Sequence, residues 1–65
     1  MSSQIYHNFG ILGHKITLLR GNGFEPKESN KYIWVGIING KTYIVDIRWN
    51  LQKISSNLAE WKNTQ

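Results

Sequence analysis

Apolar side chains crowd the middle of the chain in two runs, Lys31-Tyr32-Ile33-Trp34-Val35-Gly36-Ile37-Ile38 and Lys41-Thr42-Tyr43-Ile44-Val45-Asp46-Ile47-Arg48-Trp49, with only Asn39-Gly40 between them. Both runs are rich in β-branched and aromatic residues, which suit a pleated surface. Asn-Gly readily supplies the two positive φ angles of a type I′ turn. The pattern predicts an antiparallel hairpin, and a two-residue loop fixes its register. Ile38 then faces Lys41, Ile37 faces Thr42, Gly36 faces Tyr43, Val35 faces Ile44, Trp34 faces Val45, Ile33 faces Asp46 and Tyr32 faces Ile47.

Cross-strand partners share a face of a sheet, so this hairpin has two unlike sides. One is aliphatic: Ile33, Val35, Ile37, Thr42 and Ile44, with Lys31, Asp46 and Arg48 towards the open end. The other is aromatic: Tyr32, Trp34, Gly36, Ile38, Lys41, Tyr43, Val45 and Ile47, where the missing side chain of Gly36 is expected to make room for the Tyr43 ring.

After Trp49 the period lengthens. Leu51, Ile54, Leu58 and Trp61 recur at helical spacing. Asn50 is a candidate N-cap, while Asn57-Leu58-Ala59-Glu60 has the shape of a capping box, so the C-terminal helix starts at either Leu51 or Leu58. Upstream, Gly13-His14 reads as a type II′ turn between residues 4–12 and 15–20, with Phe9 and Ile11 facing Leu18 and Ile16; one long bent strand fits the same residues. The stretch GNGFEPKESN, residues 21–30, is a connection whose one large apolar residue, Phe24, is expected to tuck under the loop and cap the core.

These elements predict an α+β fold in a single domain over residues 1–65: a small antiparallel sheet of three or four strands, as a meander or a partly closed barrel, with one C-terminal helix. One helix covers one face of a sheet. The other face then has to meet the upstream hairpin folded over as a barrel, a second copy of the chain, or a ligand. The barrel is preferred because closure also protects strand edges. The helix stripe is assigned to the core and not to a partner's groove, since so small a domain needs its only helix to stay folded.

Composition narrows the rest. There is no cysteine, so no disulfide staples this 65-residue chain, and self-association is one way to make up for its small core. His7 and His14 are the only histidines, and no His/Asp/Glu spacing suits zinc or calcium. No cofactor motif, nucleophile elbow or paired carboxylates are present, so no enzymatic activity is expected. The N-terminus lacks a basic n-region, and no apolar run reaches a membrane span, which points to a soluble, cytoplasmic protein with no membrane partner.

Eight Lys and Arg against four Asp and Glu give a net charge of +4 and a pI near 9.7. Such a balance attracts nucleic acid, acidic proteins or an anionic membrane surface, and selects none of them. Basic residues also alternate with rings in Lys31-Tyr32-Ile33-Trp34, Lys41-Thr42-Tyr43 and Arg48-Trp49, and cations that hold phosphates beside rings that accept bases are what a nucleic-acid platform needs. A two-stranded ribbon also fits a DNA major groove. The sequence therefore suggests non-catalytic binding of DNA or RNA, with Lys31, Lys41 and Arg48 on phosphates and Tyr32, Trp34 and Tyr43 on bases. The alternative is a small protein-binding modulator or inhibitor that uses an apolar sheet face or edge, as a monomer or a homodimer. Asp46 is expected to pair with Arg48 or Lys31 as a surface ion pair.

Overall fold

The turn forms as its chemistry demands: Asn39 has φ 53° and Gly40 φ 83°. The computed structural model describes residues 2–63, with side chains from residue 10 onward. Its elements are α1 (Ser2–Gly21), β1 (Glu25–Pro26), β2 (Ile33–Ile38), β3 (Lys41–Asp46) and α2 (Leu51–Asn63). β2 and β3 pair from Ile33↔Asp46 to Ile38↔Lys41, in the register the turn dictates. The ladder continues one step further, where the Ile47 N–H donates to the Tyr32 carbonyl at 2.8 Å. β1 adds a short third strand on the far side of β2, giving an open antiparallel sheet in the order β1-β2-β3.

α2 begins at Leu51 and not at Leu58. Asn50 caps it: its Oδ1 accepts the Lys53 N–H at 2.8 Å, and its carbonyl accepts the Ile54 N–H at 3.1 Å. The predicted stripe faces inward, with Ile54 and Leu58 buried and Leu51 and Trp61 half-buried.

The N-terminal segment corrects the expectation. Residues 2–21 are a helix, not a hairpin turning at Gly13-His14, and not a bent strand. Leu12, Ile16 and Leu19 satisfy a helical period as well as Ile16 and Leu18 satisfy alternation. The helix also has a well-formed stop. Gly23, at φ 85°, lets the Phe24 N–H reach back to the Leu19 carbonyl at 2.9 Å and its own N–H reach Arg20 at 3.1 Å, while Leu19 and Phe24 meet in the core. The side chains of His7 and Phe9 lie outside the described residues.

Both helices cover the same face. Leu19 of α1, Ile54 and Leu58 of α2, and Trp34, Ile38, Val45 and Ile47 of the sheet form one buried cluster with Phe24. The aromatic face wins the helices because its rings carry the larger apolar payload, at about 25 cal/mol per Å² removed from water. No barrel closes over the aliphatic face: Ile37 is 66% exposed and Ile44 57%. Phe24 caps the core as expected, but the space at Gly36 serves the Phe24 ring instead of Tyr43. Tyr43 stacks on Trp61 at 4.3 Å between centroids.

Candidate nucleic-acid interface

The open end of the hairpin is built by an Asn turn. Asn30 Oδ1 accepts the Tyr32 N–H at 3.0 Å, and the Asn30 carbonyl accepts the Ile33 N–H at 3.1 Å, which directs the chain into β2 with Tyr32 at its mouth. Tyr32 is 41% exposed. Two cations lie against its ring: Arg48 Cζ at 4.8 Å from the centroid and Lys31 Nζ at 5.5 Å. Register brings Tyr32 level with Ile47, the residue before Arg48, and the turn beyond β3, where Asp46 Oδ1 accepts the Arg48 N–H, carries the guanidinium over the ring.

Arg48 is held from its other side by Asp46. Its Nε and Nη2 donate to the two carboxylate oxygens at 2.9 and 2.6 Å, and its backbone N–H donates to Oδ1 at 2.8 Å. The guanidinium hydrogen bonds, reinforced by that backbone bond, lower the Asp46 pKa from 3.8 to about 2. Asp46 in turn raises that of Arg48. The arginine side chain nevertheless stays 63% exposed, so part of its donor fork faces solvent.

Two further cations reach the same end. Lys15 of α1 donates from Nζ to the Ile47 carbonyl at 3.1 Å. Lys53, in the first turn of α2, places Nζ 4.7 Å from the Trp49 ring centroid. Neither was among the residues singled out by sequence. Lys53 lies only four residues from Trp49, across the Asn50 cap, whereas Lys15 arrives only through tertiary packing.

The other sequence candidates go elsewhere. Trp34 is 4% exposed and belongs to the core, with Arg20 Cζ 5.7 Å from its ring. Tyr43 is half-buried under Trp61. Lys41 sits at the turn, a strand's length from Arg48, or about 20 Å. The six candidates thus divide into Lys31, Tyr32 and Arg48 together at the open end, two rings on the helix-covered face, and Lys41 at the opposite end.

Among the described residues no group of three or more His, Asp or Glu side chains gathers as a metal site, and no helix is long and apolar enough to cross a membrane. No protein-family model, curated protein or solved structure matches the chain.

Proposed function

We propose that this protein is a non-catalytic nucleic-acid-binding domain whose contact surface is the open end of the hairpin. The observation that carries the reading is the Tyr32 ring, exposed and bracketed by Lys31 and Arg48, with Lys15 and Lys53 at the same end. Cations set beside an exposed ring offer phosphates a charge partner and a base a stacking surface. The net charge of +4 favours the same partner. The footprint is smaller than the sequence suggests: Trp34 and Tyr43 serve packing, and Lys41 stands apart.

Titration with oligonucleotides at low salt, repeated across a salt series, tests the reading. Binding should weaken as salt rises, and Lys31→Ala with Arg48→Ala should flatten the slope of log K against log salt by about 0.7–0.9 per contact removed. Absence of binding, or a slope that the double variant leaves unchanged, overturns it.

A second reading has its own observation. The open sheet face presents Ile37 and Ile44 more than half exposed, beside the unpaired edge of β3. An apolar face next to a free edge suits a protein partner or a second copy of the chain.

A further inference from the structure

Beside Tyr32 the seam between α1 and the hairpin opens into a groove of about 320 Å³, lined by Leu12 and Ile16 of α1 and by Lys31 and Tyr32 at the hairpin mouth, with the edges of the buried Trp34 and Ile47 beneath. We propose that this groove seats one unpaired nucleobase, so that the nucleic acid this domain binds is single-stranded. The inference rests on the nucleic-acid reading above and adds the class of ligand.

Two observations converge on that occupant. The walls are aliphatic and aromatic, and Leu12 and Tyr32 keep 42% and 41% of their surface open to solvent, so a flat apolar ring gains contact by entering. Cations stand around the groove: Lys31 lines it, Arg48 lies across the Tyr32 ring, and Lys15, on α1 between Leu12 and Ile16 in sequence, has its ammonium bonded at Ile47. A ligand that fits both must join an apolar plane to a nearby anion, which is the covalent arrangement of a base and its phosphates.

The base must also be free to leave its neighbours. Within a duplex each base is already stacked and paired, and extruding it costs a few kcal/mol, a cost absent in a single strand. An apolar peptide side chain would fill the same walls but would bring no anion to Lys31 on the groove's lining.

The test compares three probes on the wild-type protein at one salt concentration: a thymidine oligomer of about 12 nucleotides, an abasic oligomer of the same length and charge, and a duplex hairpin. The thymidine oligomer should bind about 5- to 150-fold more tightly than the abasic one, the range expected for one stacked base. It should also outcompete the duplex. Leu12→Trp, at a position exposed enough to carry a larger ring, fills the groove and should reduce thymidine binding to the abasic level while abasic binding is unchanged. Equal affinity for based and abasic oligomers, or preference for the duplex, overturns the base-in-groove inference and leaves the cationic surface standing. Failure of all three probes to bind overturns the nucleic-acid reading, and this inference with it.

Discussion

The ring of Phe24 lies so close over Gly36 that a β-carbon added to Gly36 would stand 2.5 Å from two ring atoms. The ring also stacks towards Trp61, at 6.4 Å between centroids, and Phe24 is only 1% exposed, so moving it disturbs the core. Gly36→Ala should therefore destabilise the fold by about 1–3 kcal/mol, the usual cost of overpacking a core. A lower urea midpoint is the readout. Pairing it with Phe24→Leu should recover part of the loss, since the two sites are in contact and their effects are coupled. Additive losses would show that the strain lies elsewhere.

Asn50 sets the start of α2 by accepting the Lys53 N–H. Asn50→Ala should cost about 1 kcal/mol, whereas Asn50→Asp keeps an acceptor and should be close to neutral. Thermal unfolding of the two variants side by side checks this, and equal losses would assign Asn50 no capping role.

The hairpin was legible because one local dipeptide sets turn type, register and face together, and every cross-strand pair then follows. Lys31, Tyr32 and Arg48 meet for a different reason: the register assigns Tyr32 to one face and the two cations to the other, and it is the Asn30 and Asp46 turns beyond the strand ends that bring them together. Which face the helices would cover was not legible. Alternation of apolar residues on both sides of β2 and β3 marks two buriable faces, and only the presence of a second helix, with the relative size of the rings, decides between them. That second helix was hidden by Gly13-His14, which reads as a turn, and by β-branched residues that suit either state. Its stop was nonetheless written in Leu19-Arg20-Gly21-Asn22-Gly23-Phe24: a glycine just past the last turn, followed by an apolar residue that folds back on Leu19.

Asp46 carries a pH prediction. Arg48 holds its carboxyl at about 2, below its ordinary 3.8. A depressed folded-state pKa means that the pair's contribution to stability is fully present above the unfolded value and is lost as pH falls through the folded one. The contribution should thus be constant at neutral pH and fade between about 4 and 2. The Asp46 carboxyl resonance should titrate near the lower end of that window, and Arg48→Met should move its midpoint up towards the ordinary value. An unchanged midpoint in the variant would mean that the guanidinium is not what lowers it.

Ile37 and Ile44 separate the two readings of function. They occupy the open face of the sheet, away from Tyr32 and on the opposite side from the buried cluster, and each keeps more than half of its surface in water. Replacing both with Thr retains β-branching, so stability should change by no more than about 0.5 kcal/mol per site, as for other surface substitutions. Oligonucleotide affinity should be unaffected, because neither residue touches the cationic end. Self-association is where the substitution should tell: if the face docks a second copy, the wild-type solution mass rises above 7.6 kDa with concentration, while the double variant stays monomeric. A wild-type protein that is monomeric throughout removes the second copy as the occupant. A double variant that loses oligonucleotide binding while still folded would relocate the nucleic-acid surface from the Tyr32 end to the sheet face, because two exposed methyl-bearing side chains have no other route to the phosphates.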